Sequence, residues 1–368
     1  MKLINHYFLF IITLFIFSCD PDDSISSNEI NDGFNRTELL NNWCDNIIIP
    51  AYNSFYSSLL VLQEDINLFV ANPNISSLNN TSDSWLDSYK IWQHIEMYDI
   101  GLAEVINYKG KMNIYPTDVD LIEFNIETEN YDLNNNNNFT ARGFPAIDYL
   151  LHGMFTDYDN TINIFKSNPS HSTYLVELVN AMCYNTNLII EDWSVYRNLF
   201  VNSTENTATS AINKVTNDFI FYFEKGLRAN KIGIPAGVFS DEILPSTVEA
   251  YYKRDVSKLL ALEALLATKN FFQGKHYNYE IMGSSLESYL NYLPVSSQNN
   301  LTQEILLEFE EAENQLSLLN NNFVSQLETD PVQMLYAYDA VQLLVVSFKV
   351  DMLQSLSISV DYVDADGD

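Results

Sequence analysis

Between Thr37 and Val70 the large apolar side chains fall on a single stripe. Leu39, Leu40, Trp43 and Ile47 recur at three- and four-residue spacing, and past a kink expected at Pro50 the stripe continues through Tyr52, Phe55, Tyr56, Leu59 and Leu60. That spacing brings side chains to one side of a helix and to neither face of a strand. The period returns in Trp85, Tyr89, Trp92 and Glu96, which share one face of a helix expected from Trp85 to about Val105, and in the dense apolar set Leu259, Leu260, Leu262, Leu265 and Leu266. Breakers are scarce, with 11 Gly and 10 Pro in 368 residues, which favours long helices over turn-rich β structure. Further helices are expected from Thr173 to Asn202, Thr207 to Arg228, Pro245 to Phe272 (capped by Ser246 or Thr247), Asn300 to Leu327 and Pro331 to about Leu356, the last started by Asp330. The chain reads as all-α. Two sets of about four helices, before and after roughly residue 203, suit two up-and-down bundles of the four-helix type packed together. Asn72 to Ser82 reads as a polar link. Lys109 to Arg142 reads as a long loop with a disordered tip at Asn134 to Asn138.

Charge removes one class of partner. Lys+Arg is 18 against Asp+Glu 49, a net charge of −31, and nucleic acid phosphates would be repelled. The same field attracts cations, although plain solubility accounts for most acidic surfaces. No Gly-rich phosphate loop, Gly-x-Ser-x-Gly or His-Glu-x-x-His is present. The histidines are His6, His94, His152, His171 and His276; His94 lies two residues before Glu96 and so cannot share its helical face. Cys44 and Cys183 are compatible with a disulfide or with two buried thiols, and no cysteine spacing suggests zinc.

The first residues form a targeting segment. Lys2 supplies a charge, Tyr7 to Phe17 is almost wholly apolar but short for a membrane span, and Ile16-Phe17-Ser18-Cys19 looks like a lipobox that places a lipid on Cys19. An uncleaved hydrophobic anchor is the alternative. This divides the chain into a signal peptide over 1–18, a polar tether over 19–33, a first helical bundle over 34–202 and a second over 203–368. The acids behind Cys19, in Asp20-Pro21-Asp22-Asp23, resemble surface-export signals of some Gram-negative lipoproteins.

The most informative stretch is Arg142-Gly143-Phe144-Pro145-Ala146-Ile147-Asp148-Tyr149-Leu150-Leu151-His152-Gly153. Gly143 lets the chain leave the preceding loop at an unusual φ, Pro145 suits a first helical turn, and Gly153 can end the helix. Asp148 shares a face with Pro145 three residues before it and with His152 four residues after it. This segment resembles the signature of the imelysin family, also grouped as M75 peptidases, in which Gly-x-His-x-x-Glu precedes Tyr-Leu-Leu-x-Gly. Gly143, Tyr149, Leu150, Leu151 and Gly153 match; Asp148 replaces the Glu and Pro145 replaces the His. Other segments agree with the family: Trp85-x6-Trp92 followed by Glu96, Tyr115-Pro116-x-Asp118, Lys231-x-Gly233-x-Pro235, Val248-Glu249-x-x-Tyr252, and the closing Asp-x-Asp-Gly-Asp.

The resemblance implies two helical bundles with the signature near their interface, and a role in iron uptake. Together with the lipobox at Cys19 it points to a lipid-anchored protein of the Gram-negative cell envelope, on the outer membrane, on its periplasmic or surface face, that takes iron, another divalent or trivalent metal, haem or a small iron-containing ligand, or an envelope protein partner. Carboxylates and phenols suit hard cations, and the candidate ligands are Asp148, Glu96, Glu249, Asp118 and His152, with Tyr149 beside them. His152 has a bland alternative as a helix-end residue favoured by the dipole, and Arg142 a bland role neutralising one of the acids. A metal-dependent peptidase is the alternative activity. Pro145 cannot coordinate, which weakens that reading because hydrolysis needs a held metal with an open position.

Overall fold

The computed structural model describes residues 32–294 and 300–361, all within one compact unit. The signal segment, Cys19 and the closing acidic tail lie outside the described residues. Among the described residues the chain is helical, and strand-like pairing is limited to one isolated bridge between Lys275 and Met282. The helices in chain order are α1 (Arg36–Asn41), α2 (Ile49–Ala71), α3 (Ile75–Trp92), α4 (Leu102–Val105), α5 (Lys109–Met112), α6 (Val119–Thr128), α7 (Gly143–Asp148), α8 (Tyr158–Ser167), α9 (Pro169–Asn202), α10 (Ala211–Phe221), α11 (Ser257–Gln273), α12 (Leu286–Tyr292), α13 (Leu301–Leu318), α14 (Phe323–Thr329), α15 (Pro331–Val346) and α16 (Leu353–Leu356). Wider-wound helical segments continue several of them: Asn42–Ile48 leads into α2, Tyr149–Gly153 extends α7, and Tyr222–Gly233 extends α10.

Of the stripe read from the sequence, Tyr52, Phe55 and Leu59 lie on the buried face of α2, which continues through Leu62, Ile66 and Phe69 where α2 packs on α3 and α9, whereas Tyr56 is half-buried and Leu60 is exposed. Helix α7 lies against α3 and α9. Farther along, α13 packs on α11 and α15, and the segment 222–233 packs on α15, α10 and α11. Helix α11 also touches α3. The connection near residue 203 runs between α9 and α10. Among the described residues no helix is long and apolar enough to cross a membrane.

Four local expectations are corrected. The polar link at Asn72 to Ser82 is mostly helix: Asn74 accepts from the amides of Ser76 and Ser77 while Ser77 Oγ accepts from Asn74 N, a capping box that starts α3 at Ile75. That helix stops at Trp92, so Glu96 lies in the turn beyond it and not on the helical face of Trp85. The asparagine run is folded: Asn138 is buried, accepts from Asn125 Nδ2 at 2.8 Å and donates to Asp132 O at 2.9 Å. The helix expected from Pro245 begins only at Ser257; residues 248–256 are irregular, with positive φ at Ala250 (54°) and Arg254 (66°). Cys44 and Cys183 are free, buried thiols, and burial pushes both up to about 12.

Candidate functional site

The signature segment folds as its residues demand. Gly143 has φ 73°, and a Cβ there would sit 2.0 Å from the Met112 carbonyl oxygen, so only glycine fits this loop-to-helix turn. Gly153 closes the segment where an added Cβ would strike the Tyr252 ring at 2.4 Å. Behind α7, the Phe144 ring stacks on Tyr89 with centroids 4.3 Å apart, and Trp85 Nε1 donates to Phe144 O at 3.2 Å. Such an aromatic pair contributes about 0.5–1.5 kcal/mol beyond its buried area. Trp85, Tyr89 and Trp92 are therefore the wall that positions the signature.

Asp148 is 1% exposed and fully engaged. Its Oδ2 accepts from Tyr252 N at 2.9 Å; its Oδ1 accepts from Lys253 N at 2.9 Å and pairs with His152 Nδ1 at 3.0 Å. His152 Nε2 in turn meets Ser82 Oγ at 2.8 Å. A carboxylate with two backbone donors and an imidazole on it is a clamp: it ties α7 to the irregular turn after Val248 and holds that turn in its left-handed conformations. Tyr149 donates to Glu123 Oε1 at 2.7 Å and its ring meets Tyr252 edge-on at 5.3 Å, so it braces the same turn.

Glu249 points from that turn the other way, into a second buried cluster. Lys231 Nζ lies 2.6 Å from Glu249 Oε2 and 3.9 Å from Glu96 Oε2. Asn113 Nδ2 reaches Glu249 Oε1 at 3.0 Å and Glu96 Oε1 at 3.2 Å, and Tyr89 OH donates to Asn113 Oδ1 at 2.6 Å. Burial pushes the Glu96 carboxyl up; the Lys231 ammonium opposes this, the Glu249 charge adds to it and Asn113 opposes it. Burial first, then the two carboxylates, hold the Tyr89, Tyr115 and Tyr222 phenols well above their ordinary value, so they stay protonated. Glu96 Oε2, Gln93 Oε1 and Tyr222 OH are buried without a hydrogen-bond partner.

The residues read as candidate metal ligands thus divide among three places. Asp148 and His152 form the clamp, Glu96 and Glu249 meet around Lys231, and Asp118 caps α6 by accepting from Leu121 N at 3.0 Å, exposed at the surface. Arg142 bonds the carbonyl oxygens of Gly110 and Leu133, not an acid. The clamp's acceptors already hold donors, and the ammonium of Lys231 stands where a cation would sit between the two glutamates. With these partners in place the donors do not fit a metal, and among the described residues no group of three or more His, Cys, Asp or Glu side chains gathers around one point. Sequence reasoning passed over Asn113 and Tyr222, and placed Lys231 only in a family-like segment, not in a site. The one signal was a lysine set among apolar neighbours in Lys231-Ile232-Gly233-Ile234.

Beside the clamp a cleft of about 130 Å3 opens to solvent, lined by Tyr115, Pro116, Pro145, Asp148, Tyr251 and Tyr252 among others. Pro145 thus presents a ring to the cleft at the position where a ligating side chain was expected. Tyr115 borders both places: it lines the cleft, and its hydroxyl feels the charges of Glu249 and Glu96.

Comparison with known proteins agrees with this architecture. A family model described as Imelysin, of the peptidase M75 group, matches residues 48–347. Two solved structures are similar. A protein described as a candidate iron-regulated protein A precursor, from Parabacteroides distasonis, is 15% identical with a TM-score of 0.72, over 87% of this chain and 95% of that one. An imelysin-like protein from Psychrobacter arcticum is 16% identical with a TM-score of 0.68, over 89% and 97%. At such identities the likeness is one of fold. The comparison with curated protein sequences finds no match.

Proposed function

This chain belongs to the imelysin family, and on that premise we propose that it is a non-hydrolytic binding protein of the cell envelope, tethered by a lipid on Cys19 and serving iron uptake. Its ligand is a small iron-containing compound seated by its organic part in the cleft beside the signature helix. The observation that carries this reading is Lys231, whose ammonium 2.6 Å from Glu249 supplies internally the positive charge that a bare metal ion would bring. The cleft supports it with aromatic faces at Tyr115, Tyr251 and Tyr252 and the ring of Pro145, a lining suited to an organic surface. Burial pushes the Tyr252 phenol up to about 12, so it serves as a neutral contact and not as a phenolate ligand. The iron connection rests on the family and on the iron-regulated description of the Parabacteroides relative.

The test is a fluorescence titration of the mature chain with ferric citrate, haem and free ferric ion. Saturable binding of a complexed form, lost in Tyr252→Ala, supports the reading. Stoichiometric binding of the free ion, abolished by Glu249→Gln, would overturn it. Chelator-sensitive cleavage of an unfolded protein would instead favour the peptidase alternative.

A further inference from the structure

A second cavity, of about 260 Å3, lies away from the signature, where α11 meets the turn after α3 and the loop 274–283. It is a built site. The loop is pinned along its length: Asn42 Nδ2 donates to Gly274 O at 3.0 Å and to Ser284 O at 2.9 Å, Tyr277 N donates to Asn46 O at 2.8 Å, Tyr277 OH donates to Ser54 Oγ at 3.2 Å, and His276 N donates to Ile281 O at 2.8 Å. The cavity therefore exists before any ligand arrives, which lowers the ordering cost of binding.

Its acidic side chains are paired. Glu263 is met by His94 Nε2 at 2.7 Å, and Glu280 by Lys275 Nζ at 2.7 Å. Each acid in the wall lies against a basic side chain, the Glu280 pair at the exposed rim, so the lining presents no isolated buried charge. What remains is a predominantly polar lining with planar groups, Asn270, Glu263 and His94, that can donate and accept at neighbouring points. Tyr98, 3% exposed, and Tyr277 also line it, His94 meets the Tyr277 ring edge-on at 5.6 Å, and Tyr279 stands 64% exposed beside the mouth. Planar hydrogen-bonding groups beside aromatic faces match a molecule with hydroxyls around its edge and C–H groups on its face.

We propose that this cavity binds a neutral, hydroxyl-rich ring of the monosaccharide class. The volume suits one ring, and the exposed Tyr279 can cover its outer face. His94 and Glu263 hydrogen-bond to vicinal hydroxyls while keeping their own contact.

The experiment is saturation-transfer NMR on the mature chain with glucose, galactose and N-acetylglucosamine, with putrescine and acetate as charged comparators. At least one neutral sugar is expected to bind saturably in the millimolar range. Asn270→Ala and Tyr279→Ala should each weaken it by about tenfold or more, while Tyr252→Ala in the signature cleft leaves it unchanged. Tyr279 is exposed, so its removal leaves the fold intact and keeps the test decisive. Failure of all three sugars to bind, preference for putrescine or acetate, or full binding by both Asn270→Ala and Tyr279→Ala would overturn the proposal.

Discussion

Asp148 at the end of α7 reaches the irregular turn after Val248 from outside while Glu249 leaves that turn, and each buries a carboxylate by a different device. Asp148 is neutralised by directed hydrogen bonds: two backbone amides and an imidazole converge on its oxygens. Glu249, with Glu96 nearby, is neutralised mainly by one full charge, the ammonium of Lys231. Backbone amides are fixed by the fold and cannot leave. A lysine side chain is a single replaceable point charge on a flexible stem. The first arrangement is thus a structural clamp, and the second is a balanced charge cluster in which one cation serves two acids. That imbalance appears in Glu96, whose carboxyl is pushed up chiefly by burial and whose Oε2 lacks a hydrogen-bond partner.

The largest effect should come from breaking the charge cluster. Lys231→Met leaves two buried carboxylates without their cation and is expected to cost about 3–5 kcal/mol at neutral pH by urea unfolding. The loss should shrink as pH falls, because protonating the acids removes the uncompensated charge, and Lys231→Met combined with Glu249→Gln should recover part of it. A penalty below about 1 kcal/mol would mean that water already solvates the cluster.

Breaking the clamp should cost less. Asp148→Ala strands the amides of Tyr252 and Lys253 and is expected to destabilise by about 2–3 kcal/mol, with faster hydrogen exchange confined to residues 248–255 as the local signature. Exchange accelerating equally across α2 and α9 would contradict the clamp. A smaller effect, about 1 kcal/mol, is expected for Asp118→Ala, which removes only the cap of α6 and touches neither constellation.

Asp218 sharpens the contrast, since it has neither device in full. Burial pushes its carboxyl from 3.8 up to about 8, with Lys109 opposing and Asp99 and Asp361 adding, and its Oδ2 has no hydrogen-bond partner. The folded state therefore binds a proton that the unfolded state releases between those two values, and this contribution to stability is lost as pH rises through about 8. Asp218→Asn should flatten that decline in a series of melting curves from about pH 5 to pH 9. A variant curve as steep as the wild type would assign the slope to other groups.

What the sequence revealed follows from the range of each interaction. The stripe of α2 and the glycine at position 143 obey rules that act within a turn or two, and both could be read without coordinates. The helix stop at Trp92 and the irregular turn after Val248 could not. No glycine marks Ala250 or Arg254, and the turn holds its shape because Asp148, about a hundred residues earlier in the chain, binds its amides. Lys231 stayed hidden for the same reason: its partners Glu249 and Glu96 lie 18 and 135 positions away, and no local pattern announces a pairing of that kind. Asp118 shows the opposite error, in which a carboxylate in a family-like motif has an ordinary local task as a helix cap.

The central claim is that Lys231 fills the cation position between Glu96 and Glu249. Calorimetric titration of the protein with ferric and zinc ions, beside Lys231→Ala, tests it most directly. The account predicts no saturable metal binding to the wild-type cluster and the appearance of binding once the ammonium is removed. Stoichiometric binding by the wild type, lost in Glu249→Gln, would contradict it.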